Sequence, residues 1–245
     1  MNAEAILEAL ENVYLPVEKS PYSLKPKTGL VIVDIVKGFA EVGAGPLAPA
    51  EENPQINRMV TETNILAKRF IEADLPVLAF LDTHTPGVPE PPYPPHCEIG
   101  SGQENFVEPI AWLENESSVV KIRKDCINGY IGAENSESGN EFKNWIQDHG
   151  IEHLIIVGIC TDICVMDFVL TALSARNHQL LGNIEDIVVF EPACSTYDLP
   201  PATAEALNLP RSASHPQMMT HHVGLYFMAS RGARIASSIH FEPAD

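Results

Sequence analysis

Basic charge is scarce in this chain. Only 15 Lys and Arg stand against 33 Asp and Glu, for a formal net charge of −18. A surface this acidic repels phosphate backbones and anionic lipid faces, so nucleic-acid and membrane partners are not expected. Long apolar runs are also missing. The most apolar stretch, Leu154 to Leu173, is interrupted by Asp162 and Asp167 and falls short of the ~20 apolar residues that span a bilayer. Cysteines are few and unpaired in pattern: Cys97, Cys126, Cys160, Cys164 and Cys194 make an odd set with no framework spacing. That excludes a disulfide scaffold and suits free thiols in a reducing compartment. The stretch Met1 to Leu10 has no basic residue and carries Glu4 and Glu8, unlike a secretory leader. A soluble protein of the cytoplasm is therefore expected, with the nucleus as the alternative.

Internal repeats and low-complexity linkers are absent as well. The 245 residues read as a single domain over 1–245, with 1–27 an N-terminal helix and a proline-rich link. What is present is an alternation. Short apolar runs lie at 29–34, 76–82, 118–122, 153–158, 186–190 and 233–237. Continuous runs of this kind are the mark of strands buried on both faces. Between them, helical periodicity lies near 54–74, 137–149, 162–176, 201–208 and 215–231, and a further helix is expected over 3–15. Strands alternating with helices predict a three-layer α/β/α fold around a central, mostly parallel sheet. The stretch 83–102 breaks the rhythm with six prolines and three glycines after the end of a strand. Ligands bind in such places in open α/β sheets.

Chemistry-bearing residues gather at the strand ends. Asp34 closes the run Leu30-Val-Ile-Val; a turn acid or helix cap is its ordinary role. Lys124 follows the third run. In Gly158-Ile-Cys-Thr-Asp-Ile-Cys-Val165 a strand turns into a helix, with Thr161 or Asp162 as the expected cap. Cys164 then falls in the first turn, where the helix dipole lowers a thiol pKa, or else it is a small buried apolar residue. Cys160 precedes it by four residues, and spacing alone does not say which thiol reacts. Asp82-Thr-His84 puts two metal-ligand types on one side of a strand end, and His96 follows at the end of the proline-rich loop. A carboxylate and two imidazoles suit Zn, Fe or Mn, and Glu90 in the same loop is a further candidate ligand. Parallel strands bring their carboxyl ends to one edge, so Asp34, Lys124 and Cys164 can meet as an acid, a cation and a thiol nucleophile. His215, His221 and His222 are expected on a helix surface or at an interface, and Cys126 and Cys194 as core thiols.

Taken jointly, these motifs resemble the isochorismatase-like cysteine hydrolase superfamily over roughly residues 28 to 240 and, within it, the plant-type nicotinamidase branch. The residues that carry the resemblance are Leu30-Val-Ile-Val-Asp34 with Phe39, Asp82-x-His84, Tyr93-Pro-Pro-His96-Cys97, Lys124-x-x-x-Asn-Gly-Tyr130 and Gly158-x-x-Thr-Asp-x-Cys164-Val165. The resemblance implies an amidohydrolase that converts nicotinamide to nicotinate and ammonia through a cysteine thioester, in NAD salvage. It implies Cys164 as nucleophile, Asp34 as general base and acid, and Lys124 as their charge partner. It further implies an oxyanion hole from the Cys160 and Cys164 amides, with a cis peptide before Cys160. Phe39 and Tyr93 match ring-packing positions. Asp82, His84 and His96 match ligands of one divalent transition metal, Zn first, with Fe or Mn as alternatives. A homo-oligomer with the small molecule nicotinamide as its partner is expected. Two features depart from the pattern. Val36 stands where many relatives carry Gln, and no third His lies between His84 and His96, so Glu90 or water is left to complete the metal shell. Another amide or vinyl-ether hydrolase of the same superfamily, or a catalytically silent binding protein of that fold, is the alternative.

Overall fold

The computed structural model of the protein describes residues 3–206 and 208–241. Helix α1 (Ala3–Ala9) runs into a wider helical turn over Leu10–Tyr14. Strands β1 (Lys19–Ser23) and β2 (Thr28–Val33), helices α2 (Lys37–Ala40) and α3 (Pro54–Glu72) and strand β3 (Val77–Asp82) follow. Beyond the proline-rich loop and a 3-10 turn at Glu108–Asn115 lie β4 (Val119–Lys124) and α4 (Gly129–Gly132). A small hairpin of β5 (Glu134–Asn135) and β6 (Gly139–Asn140) leads into α5 (Glu141–His149). The chain continues with β7 (His153–Ile159), α6 (Cys164–Asn177) and β8 (Asp186–Ser195). Helices α7 (Pro201–Ala206) and α8 (Gln217–Ala229) precede β9 (Arg234–His240).

Seven strands form one sheet in the order β1-β9-β8-β7-β2-β3-β4, and each pairing is parallel. Side-chain alternation sorts the core into two faces. Leu30 and Ile32 of β2 pack with Ile56, Met59 and Phe70 of α3. Val31 and Val33 face the other way, toward Phe142 and Trp145 of α5 and Phe168 of α6. The sheet therefore lies between two helical layers, as the alternating pattern predicts.

Helix α3 starts where local chemistry requires it. The Asn53 side-chain oxygen accepts from the Gln55 and Ile56 N–H at 3.0 and 3.1 Å, and Pro54 occupies the first turn. Strand order reverses between β2 and β7. From there the chain builds outward to β3 and β4 on one side and to β8 and β9 on the other. The crevice beyond the carboxyl ends of β2 and β7 is thus the switch point where α/β sheets take ligands.

Several expectations need correction. Lys19–Ser23, read as part of a link, pairs in parallel with β9 as an edge strand; its register slips at Pro21, which has no N–H to donate. The helix expected over 137–149 begins only at Glu141, because the preceding residues form the hairpin. Strand β8 continues five residues beyond the predicted Phe190. Of the segment 201–208, residues 201–206 are helical, and Leu207 lies outside the described residues. Among the described residues no helix is long and apolar enough to cross a membrane.

Candidate active site

Four parallel strands deliver the expected residues to one edge. Asp34 follows β2 directly and is fully buried, with φ +54°. A non-glycine residue in the left-handed region is uncommon and concentrates at functional sites. Lys124 ends β4 in register with Asp82 at the end of β3. Its Nζ lies 2.8 Å from Asp34 Oδ2, 3.2 Å from Asp82 Oδ1 and 2.9 Å from the Cys126 carbonyl oxygen. Those three partners use all three ammonium protons. Cys164, the first residue of α6, is buried and close enough to Lys124 and Asp34 to feel both charges.

The close approach of β7 to β2 depends on Gly158. At its φ of +135° a Cβ would run into the Val33 carbonyl oxygen, so only glycine lets the two strands meet behind the cysteine turn. The peptide between Ile159 and Cys160 is cis. The Cys160 carbonyl accepts from the Ile163 and Val165 N–H at 3.0 and 3.1 Å. Among the described residues, neither the Cys160 nor the Cys164 N–H has a hydrogen-bond acceptor in the protein. Two free amides beside a thiol are able to hold a developing oxyanion. The expected cap is not used: Ile163 occupies the cap position with no side-chain hydrogen bond, and the helix starts two residues later than predicted.

Electrostatics here are set by burial. Desolvation pushes Asp34 up to about 6, against the pull of the Lys124 cation and with a further push from Asp82. Burial also raises the Cys164 thiol well above its ordinary range, only partly offset by Lys124. The expectation of a thiol pKa lowered at the helix start is not met, because burial, which disfavours the thiolate, dominates. Burial thus favours the neutral thiol at Cys164, next to a carboxylate raised toward neutrality. Cys160, also buried, is pushed up to about 12.

A second cluster shares Asp82 with the first. Asp82 Oδ2 lies 3.1 Å from His84 Nε2 and 3.2 Å from His96 Nε2. The Asp82 Oδ2 and His84 Nε2 atoms are buried without a hydrogen-bond partner. His96 Nδ1 donates to the Pro94 carbonyl at 2.8 Å, which leaves the Nε2 lone pair facing the cluster. These atoms lie within 4.8 Å of one another. Two imidazole nitrogens and a carboxylate oxygen converging in one buried cluster, two of the three atoms without a hydrogen-bond partner, fit a divalent metal ion. Glu90 Oε2 is 3.7 Å from both Nε2 atoms, close enough to join the set. Asp82 is held below the usual carboxylate range: burial raises it, but Lys124 and both histidines outweigh that.

A cleft of about 450 Å³ joins the two clusters, with Asp82, Glu90 and His96 at one end and Cys160 and Cys164 at the other. Phe39 and Tyr93 line it, their rings 5.5 and 6.0 Å from that of His96. The isochorismatase domain family matches residues 28–214. The chain belongs to the isochorismatase family. It is 46% identical over 243 residues to nicotinamidase 1 of Arabidopsis thaliana, covering 98% of this chain and 99% of that one. It is 31% identical over 144 residues to the nicotinamidase/pyrazinamidase of Mycobacterium tuberculosis, covering 56% of this chain and 73% of that one. The fold is similar to a Bacillus subtilis nicotinamidase, with TM-score 0.62 and 20% identity over 86% of this chain and 99% of that one. It is likewise similar to a Pyrococcus horikoshii pyrazinamidase solved in complex with zinc, with TM-score 0.58 and 19% identity over 86% of this chain and 98% of that one.

Every isochorismatase-family position expected at the site is brought to this edge. Sequence reasoning missed Leu47, Ile127, Ile163 and Tyr197, which also line the cleft. None carries a periodic or motif signal, since each reaches the cleft from a different loop or turn. The C-terminal histidines are corrected too: all three are buried. His215 Nε2 meets Asp162 Oδ2 at 2.7 Å, His221 Nδ1 meets Thr161 Oγ1 at 2.8 Å, and His222 Nε2 donates to the Leu15 carbonyl at 2.9 Å. Of the two expected core thiols, Cys194 is fully buried and Cys126 half-buried.

Proposed function

We propose that the protein is a nicotinamidase, hydrolysing nicotinamide to nicotinate and ammonia. The observation that carries the reading is the shared Lys124. It ties an acid–thiol pair to an Asp-His-His cluster across one small cleft, 2.8 Å from Asp34 and 3.2 Å from Asp82. The near full-length similarity to the Arabidopsis thaliana enzyme supports the same substrate.

In this reading Asp34 takes the thiol proton as Cys164 Sγ bonds to the amide carbon. A base pushed up to about 6 suits that transfer at neutral pH. The negative oxygen that forms is held by the Cys160 and Cys164 N–H. Asp34 returns the proton to the departing nitrogen, the C–N bond breaks, and ammonia leaves a nicotinoyl thioester. Asp34 then draws a proton from water as its oxygen attacks the thioester, and Sγ leaves as the thiol with nicotinate as the second product. Lys124 favours the ionised form of the buried Asp34, and the Phe39 and Tyr93 rings pack on the pyridine faces. Asp82, His84 and His96 would hold one divalent metal, with Glu90 as the fourth side chain. Zinc is favoured by the two imidazoles and by its presence in the Pyrococcus horikoshii relative. A bound metal supplies an electrophilic contact for the pyridine nitrogen and so orients the ring. With that substrate the protein would act in NAD salvage, and its free cysteines suit the reducing cytoplasm.

Benzamide has the shape and amide of nicotinamide but no ring nitrogen. A site built for a polar contact rejects the analogue lacking it by up to ~10⁴-fold. We expect kcat/KM for benzamide to fall far below that for nicotinamide on the metal-loaded protein. Comparable values would move a generic amidase ahead of this reading.

A further inference from the structure

The cleft has a third aromatic wall at its cysteine end. Tyr197 lies two residues beyond β8 and lines the cleft beside Cys160, Ile163 and Cys164. Phe39 and Tyr93 have their rings 5.5 and 6.0 Å from that of His96, and Tyr93 reaches toward the cysteines as well. Tyr197 is half-buried and packs against the hydrophobic core on that side of the sheet.

His215 braces its ring and its backbone. Its ring stacks on that of Tyr197 with centroids 3.8 Å apart and planes 15° apart. Its Nδ1 lies 2.9 Å from the Tyr197 carbonyl oxygen and its Nε2 2.7 Å from Asp162 Oδ2. Burial opposes a charge on this ring, but the hydrogen bond to Asp162 outweighs it and raises the His215 pKa, which favours the form that donates from both nitrogens; Thr220 Oγ1 also lies 3.3 Å from Nδ1. Two backbone hydrogen bonds between His215 and Leu199, at 2.6 and 2.9 Å, pin the same strand of chain from behind. Asp162 completes the block. Its other oxygen accepts from Thr196 Oγ1 at 2.7 Å, and its own backbone belongs to the turn between the two cysteines. The Tyr197 wall and the turn that bears Cys160 and Cys164 are therefore tied to one another by Thr196 Oγ1 on Asp162, by the Thr161 N–H on the Ser195 carbonyl, and by the buried His215, which alone of these also stacks on the Tyr197 ring.

We infer that Tyr197 is a specificity-determining residue that bounds the ring of a planar aromatic amide at the cysteine end of the cleft, and that His215 is a positioning residue that acts through it. This rests on the amidohydrolase reading above. A flat ring packed on an aromatic wall loses that contact when the wall is removed, while the thiol, acid and amides stay in place. The expected signature is thus a KM effect.

The test is a double-mutant cycle on the metal-loaded protein with nicotinamide, with thermal melts to establish folding. Tyr197→Ala raises KM about tenfold with kcat held within about threefold. Tyr197→Phe recovers most of that KM, because the ring returns. His215→Ala raises KM in the same direction, and in Tyr197→Ala/His215→Ala the two KM effects fail to multiply, because both remove one wall. Tyr197→Leu, which fills more of the space, repeats the KM loss if the alanine variant does not fold. An unchanged KM in folded Tyr197→Ala and Tyr197→Leu, or effects that multiply in the double variant, would overturn the inference alone. A parent protein that does not turn over nicotinamide would overturn the amidohydrolase reading beneath it.

Discussion

Replacing Lys124 with Met keeps an unbranched side chain of similar length and removes only the charge. The ammonium is fully buried and shared by Asp34 and Asp82, with the Cys126 carbonyl taking its third proton. Without it, two desolvated carboxylates face each other with nothing between them. Breaking a buried ion pair from one side costs about 3–5 kcal/mol, because the surviving charge has no compensation. For a chain of this length that lowers Tm by roughly 6–20 °C. Chemistry should fail as well. Burial already places Asp34 at about 6 with the cation in position. Removing the largest opposing influence drives it higher, so Asp34 holds a proton at neutral pH and cannot accept one from Cys164. Loss of a general base costs about 10²–10⁴ in rate. Thermal melts in excess metal, with nicotinamide turnover measured across pH, read both effects. A Lys124→Met protein melting within about 2 °C of the parent and turning over at an ordinary rate would refute the reasoning.

Other consequences are as specific. Cys164→Ala should abolish turnover in a folded protein, whereas Cys160→Ala should keep substantial activity, since its backbone amide survives; ammonia release from the two variants decides between the thiols. Turnover should fall as pH drops through about 6, because Asp34 must be ionised to act, and a pH–rate profile checks that limb. His96→Ala should lower metal content by elemental analysis and raise KM, and the metal content of Glu90→Ala shows whether that carboxylate is a ligand. Glu191 is lowered to about 2: burial raises it, but His221, Lys19 and Arg58 outweigh that. A depressed carboxylate contributes stability above its unfolded value and loses it as pH falls through the folded one. Chemical denaturation of Glu191→Gln and the parent between pH 5 and pH 2 should therefore converge, from a gap of about 3 kcal/mol at the upper end.

Much of the site was legible because its residues end apolar runs. Asp34 and Asp82 close strands buried along their whole length, Lys124 closes the half-buried edge strand β4, and a parallel sheet places such ends together. The metal-ligand types were legible because two of them lie at i and i+2 on a strand end. Strand β1 was not, since Pro21 and exposed alternate residues give it the pattern of a link; only its pairing with β9 makes it a strand. The thiol's true state was hidden for a different reason. Helix position is local and readable, but burial, which decides the pKa here, depends on everything packed around Cys164. The Tyr197–His215–Asp162 block was invisible because its members lie 18 and 53 residues apart and share no period.

The central claim is that Cys164, served by Asp34, hydrolyses nicotinamide in this cleft. Purified, metal-loaded parent protein and Cys164→Ala, assayed together for ammonia released from nicotinamide, test it most directly. The account predicts steady release by the parent and none by the variant, with both proteins folded. Release by the variant at the parent's rate, or none by the parent, would contradict it.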